Sequence, residues 1–162
     1  LERHTASGAA LLASIPVHGF LPSLLRTAAR KPAAAFRVYA RLSPYELVRT
    51  PQLMRHFFFS PDIPRAQIHA YHARLQQESM RMSFDVSLLN LPRPQDIINV
   101  PPVLVLAAGN DTLFTVDEQR TTARAYNAKL VVIDNMAHDV MLENNWQDAA
   151  VALLDWLGTL ES

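Results

Sequence analysis

The chain has 162 residues and equal numbers of basic and acidic side chains, 15 of each. An apolar fraction of 49% and a charged fraction of 19% exclude a disordered or low-complexity chain and leave enough apolar surface for one domain with a core. The even charge balance argues against a nucleic-acid binder, and the lack of cysteine excludes a disulfide scaffold, a thiol nucleophile and a thiolate zinc site.

In chain order, Leu1 to Ser7 reads as the tail of a helix entering a loop. Gly8 to Ser14 is a small-apolar run of strand length, consistent with burial on both faces, and Ile15-Pro16 ends it. From Leu21 to about Leu91 the pattern is helical. Thr50-Pro51 places a cap before a first-turn proline, and Ser60 to Pro64 is a loop leading to another such start. Beyond it Ile68, Tyr71, Leu75 and Met82 fall near helical spacing, with Arg65, Arg74 and Glu78 between them. Pro92, Pro94, Pro101 and Pro102 then break the chain.

After Pro102 the texture changes. Val103 to Ala108 is a second buried strand. Thr115-Val116-Asp117-Glu118 has the form of a capping box and opens a helix to about Tyr126. Leu130 to Ile133 is a third strand, rich in β-branched residues. Asn145 is placed to cap a last helix, where Ala150, Leu153, Leu154 and Leu157 form an apolar stripe and Gly158 lies near the end.

Strands alternating with helices imply an α/β fold with right-handed crossovers and a parallel sheet. The helical block is too long for a simple crossover, so it reads as a cap inserted over the strand ends. The expected organisation is a first core strand and its flanks over 1–20, a helical cap or lid over 21–95, and a C-terminal core over 96–162. Three parallel strands are few for such a sheet, and one lateral edge should want a further strand. The uncharged run from Thr5 to Leu25 has the length of a membrane span, but Pro16, His18, Gly19 and Pro22 break it, so neither a span nor a signal peptide is expected.

Ligands of open α/β sheets bind beyond the carboxyl ends of the strands. Three segments lie there: Ser14 to Gly19, Gly109 to Phe114 and Asp134 to Asp139. An acid, Asp111, follows one strand, and a histidine, His138, follows the next. Parallel neighbours would set these two turns side by side. A buried carboxylate accepting from Nδ1–H fixes the imidazole tautomer and leaves Nε2 as a general base. Asp117, Asp134 and Asp139 compete for the acid role. Asp117 is explained by the helix N-terminus, and the other two share a segment with His138.

The stretch Pro102 to Glu143 resembles the C-terminal part of an α/β-hydrolase, most closely the bacterial esterase or lysophospholipase-like members. In that family a strand ending in G-x-D supplies the triad acid, and the next strand leads to a small-residue–His turn that supplies the base. Asp111 and His138 match those positions. Upstream, Gly8 to Gly19 resembles the strand before the cap, and Leu21 to Leu91 fills the cap's place. The four glycines, Gly8, Gly19, Gly109 and Gly158, form no G-x-S-x-G. The resemblance implies a nucleophile elbow roughly ten to fifteen residues before Leu1. The chain by itself is therefore expected not to hydrolyse an ester.

Substrate-side candidates are His18 after the first strand, Phe57 and Phe58 in the apolar His56 to Phe59 patch with Met54, and Phe114 in the acid turn. That patch is either cap core, an acyl-binding wall or an exposed surface. His69 and His72 have i, i+3 spacing but too few companion ligands, so no metal site is expected. Ser14, Ser60, Ser79 and Ser83 all lack a Gly-flanked strand-to-helix turn. The resemblance implies a Ser-His-Asp hydrolase of a small apolar carboxylic ester, an acyl ester or lysophospholipid among them. It would be cytoplasmic, use no cofactor and be completed by an N-terminal segment or second chain. Nucleic acid and membrane surfaces are not expected as partners. The alternative is a truncated or pseudo-hydrolase that binds a small ligand or another protein.

Overall fold

A computed structural model describes residues 6–41, 43–76, 91–97 and 99–160, with positions 39 and 44 described by backbone alone. The helix tail expected at Leu1 to Arg3, and Met82, Glu78, Ser79 and Ser83 of the cap, lie outside the described residues. Among the described residues, three strands form one parallel sheet in the order β1-β2-β3: β1 (Ala9–Leu12), β2 (Val103–Ala108) and β3 (Lys129–Ile133). Ala9 pairs with Val103 and Leu104 with Lys129, so the carboxyl ends of β2 and β3 finish together at Ala108 and Ile133.

The second strand is buried along its whole length, as an uninterrupted Val/Leu/Ala run at the centre of a parallel sheet should be. The outer strands are not. All four residues of β1 are half-buried, and β3 alternates towards exposure at Lys129 and Val132. Burial on both faces was the expectation for Gly8 to Ser14. The strand is shorter and, among the described residues, pairs on one side only.

Among the described residues, four α-helices lie between β1 and β2: α1 (Leu21–Arg30), α2 (Pro32–Arg41), α3 (Pro51–Phe58) and α4 (Arg65–His72). A 3-10 turn, Pro44–Leu47, separates α2 from α3. Thr50 caps α3 as the sequence implied, its side chain accepting from the Leu53 amide at 3.2 Å. Met54, Phe59, Ile63 and Ile68 form the cap's own core, while Ala34, Leu47 and Phe57 pack against Leu113 and Phe114 of the acid turn. The Phe57 to Phe59 patch is thus mostly cap core and not an exposed surface.

Helix α5 (Val116–Ala125) begins with the expected capping box and packs on β2 and β3. Helix α6 (Trp146–Gly158) buries Ala149 and Trp156. The stripe read from the sequence is corrected here: Leu154 is 65% exposed and Leu157 is also exposed. Both helix faces carry apolar residues, so spacing alone could not say which one packs. Asn145 sits at the N-cap position without a side-chain capping bond. Among the described residues, no helix is long and apolar enough to cross a membrane.

Candidate active site

The turn after β2 and the loop after β3 meet because glycine stands at their crossing. A Cβ on Gly109 would lie 3.1 Å from the Ile133 carbonyl oxygen and 3.2 Å from Asp134 Cα. With no Cβ, Gly109 donates its N–H to Ile133 at 2.8 Å, and Asn110 donates to the Met136 carbonyl at 2.9 Å. These two bonds set the register in which Asp111 and His138, 27 positions apart, come face to face.

Asp111 Oδ2 lies 2.9 Å from His138 Nδ1. The second oxygen, Oδ1, accepts the backbone N–H of Leu113 at 2.7 Å and of Phe114 at 3.1 Å. The carboxylate side chain is 1% exposed, and that of His138 is mostly covered. A buried carboxylate is expensive unless hydrogen-bonded, and here both oxygens are. An ionised carboxylate only accepts, so Nδ1 is the donor in this pairing, and a neutral imidazole so held keeps its lone pair on Nε2. Two aromatic rings brace the imidazole. Phe58 and Phe114 each approach it edge-on with centroids 5.3 Å away.

The base loop is fixed from the cap side as well. Asp139 donates its N–H to the Phe58 carbonyl at 3.0 Å. Glu143, 2% exposed, accepts the Ser60 N–H at 2.8 Å. Thr112 Oγ1 donates to the Phe57 carbonyl at 3.1 Å. The end of α3 is therefore bonded to both turns, which holds Phe58 against His138. Asp139 is half-buried and makes no ion pair among the described residues. Burial pushes its pKa up, opposed by His138 and reinforced by Glu143 and Asp111.

Of the substrate-side candidates, Phe58 and Phe114 touch His138, and Phe114 also meets Phe20 edge-on at 5.7 Å. Phe57 is buried one layer away, against Leu113 and Phe114. His18 belongs to a different cluster: its Nε2 is 3.5 Å from Glu118 Oε1. Glu118 also accepts both guanidinium NH groups of Arg26 at 2.7 Å, and Arg26 reaches the Leu113 carbonyl. Burial would raise the Glu118 pKa, but the bonds from Arg26 and Thr115 outweigh it and hold the carboxyl below its ordinary range. Among the competitors for the acid role, Asp117 pairs with Arg120 and Asp134 is exposed.

Glu143 and Thr112 were not singled out by sequence reasoning. Glu143 sits in an ordinary polar run, and only the folded chain shows an acid in a buried position opposite a cap amide. His69 and His72 gather no further ligand, since among the described residues no three His, Asp or Glu converge as a metal site requires.

No family model matches the chain, and no curated protein matches it significantly. Solved structures do. A protein assigned as the non-heme bromoperoxidase BpoC of Mycobacterium tuberculosis H37Rv superposes with a TM-score of 0.68 at 17% identity, over 97% of this chain and 59% of that one. A thermophilic esterase of Thermogutta terrifontis gives 0.60 at 15%, over 96% and 57%. MenH of S. aureus gives 0.56 at 17%, over 96% and 60%. An α/β-hydrolase fold protein of Chitinophaga pinensis is also among the similar structures. The fold is that of an α/β-hydrolase, and the chain corresponds to its C-terminal portion, spanning less than two thirds of the solved chains it matches.

Proposed function

We propose that the chain supplies the acid and the base of a Ser-His-Asp carboxylic-ester hydrolase. Its serine and oxyanion donors would come from an N-terminal half of the same fold, either on the same polypeptide or on a second chain. The observation that carries this reading is the 2.9 Å Asp111–His138 bond at the rim of two adjacent parallel strands, with the other acid oxygen held by two backbone amides. This arrangement suits a base that must gain and return a proton without reorienting.

In that reaction His138 Nε2 takes the proton as the serine Oγ bonds to the ester carbonyl carbon. Asp111 stabilises the resulting imidazolium and does not take its proton. The imidazolium then donates to the departing alkoxide, leaving an acyl-enzyme and the free alcohol. Water, deprotonated by the same Nε2, attacks the acyl carbon and restores the serine. Phe58 and Phe114 limit water around the imidazole and offer an apolar wall, which favours a small apolar or acyl ester. The reaction needs no metal or organic cofactor, and the reading places the protein in the cytoplasm.

The test is labelling of the complete protein with a fluorophosphonate and hydrolysis of a series of p-nitrophenyl esters. Stoichiometric labelling, lost with ester turnover in His138→Ala, is the expected result. Complete protein that binds esters but neither labels nor turns over would establish the pseudo-hydrolase alternative in its place.

A further inference from the structure

The even charge of the whole chain hides a strong polarity. Residues 21–91 hold ten Lys or Arg against four Asp or Glu, whereas residues 92–162 hold four against ten. The helical hairpin of α1 and α2 is the extreme case. Between Leu21 and Arg41 it carries Arg26, Arg30, Lys31, Arg37 and Arg41 and no acid at all.

This charge is only partly neutralised nearby. Arg26 is taken up by Glu118. Arg37 and Arg41 turn to Glu46, a buried carboxylate that also faces Arg49, so three guanidiniums share one acid. Arg30 and Lys31, at the corner between the helices, are exposed and make no ion pair among the described residues. Their field reaches His56 on α3, whose pKa is lowered by burial first and then by Lys31 and Arg30.

The same corner is apolar. Residues 29–33 are exposed without a break. One turn before them stands Leu25, 62% exposed, and one turn after stands Phe36, 69% exposed. Leu21 and Ala40 extend the two stripes and are exposed too. A large aromatic and two leucines in water, beside unpaired cations, are the pairing that an anionic bilayer accommodates: the apolar side chains enter the headgroup boundary, and the cations meet lipid phosphates.

We propose that the exposed face of the α1–α2 hairpin docks the protein on an anionic phospholipid surface. Charge complementarity selects an anionic partner. The aliphatic Leu21 and Leu25 select lipid over nucleic acid, whose sequence-tolerant binding rests on stacking by aromatic rings. The surface differs from the Phe57 to Phe59 patch, which the cap buries, and it stands independently of the hydrolase reading.

The test is co-sedimentation with phosphatidylcholine vesicles made with and without phosphatidylglycerol. Pelleting with the anionic vesicles is expected, weakening as ionic strength rises from about 0.1 M to about 0.5 M. The double variant Arg30→Glu/Lys31→Glu lowers binding at least about tenfold. Phe36→Ser lowers it several-fold, while Arg124→Glu on the core helix α5 leaves it unchanged. Exposed positions leave the fold intact, which equal urea midpoints verify. Equal binding to both vesicle types, wild-type binding by the hairpin variants, a preference for a single-stranded oligonucleotide, or self-association abolished by Phe36→Ser would each overturn the proposal.

Discussion

The cap meets the core along two seams of opposite character. At the end of α3 every joint is a hydrogen bond to a backbone group of the cap: Asp139 N–H to the Phe58 carbonyl, the Thr112 hydroxyl to the Phe57 carbonyl, and Ser60 N–H to the buried Glu143 carboxylate. At the start of the cap the joint is ionic, with Arg26 and His18 on Glu118 and solvent within reach. The first seam flanks the imidazole, where the proposed proton transfer requires a fixed geometry. The second joins α1 to the N-terminus of α5, where the same carboxylate completes the capping box. Buried backbone joints are rigid and indifferent to salt, whereas a part-exposed ion pair weakens with salt and acid.

Four changes would break or sharpen this contrast. The largest effect belongs to the Asp111–His138 pair: if the complete protein hydrolyses esters as proposed, Asp111→Asn lowers kcat by on the order of 10⁴, because the amide no longer fixes the productive tautomer. Steady-state ester hydrolysis reads this, with circular dichroism expected to be unchanged. Next comes Glu143→Ala, which leaves the Ser60 amide buried without its acceptor. It costs about 2 kcal/mol in urea denaturation, and Glu143→Gln, which keeps an acceptor oxygen, recovers most of that.

Arg26→Ala at the ionic seam costs less, about 1 kcal/mol at neutral pH. The Glu118 pKa is depressed in the folded state, so the stabilisation is fully present above the unfolded carboxylate value. It falls away as acid titrates the group through its folded value. Wild type and variant should therefore converge in unfolding free energy, to within about 0.5 kcal/mol, once pH has fallen through the folded value of Glu118. The smallest effect has the opposite sign. The Asp139 pKa is raised in the folded state, so its ionisation opposes folding once pH exceeds the unfolded value. Asp139→Asn should raise the neutral-pH unfolding free energy in urea by under about 1 kcal/mol, a gain that vanishes in acid. A destabilised variant at neutral pH would mean that the charge is held by the seam and not merely tolerated there.

Legibility in the sequence followed how local each signal is. The β2 strand, the Thr115 capping box and the Thr50 cap were readable because each is decided within a few residues by burial pattern or by a side chain reaching its own backbone. Asp111 and His138 were readable as residues in the right turns, and adjacency of parallel strands brought them together. Glu143 was not readable, because nothing in its own segment marks an acid as buried. His18 was a substrate-side candidate by its position after β1, yet it turns to Glu118, a partner supplied from a hundred residues away. The stripe on α6 misled for a related reason: apolar residues on two faces give a period but not a direction.

By itself the sequence determined which segments become strand or helix, where α3 and α5 begin, and that an acid and an imidazole end successive strands. Those outcomes rest on interactions that close within a turn or along one ladder. The tertiary structure decided which carboxylate faces which cation, that Phe58 and not Phe57 meets the imidazole, and that Phe36 and Leu25 stand in water beside Arg30 and Lys31. Such choices depend on neighbours far along the chain, whose approach is fixed only when the cap and the sheet pack together.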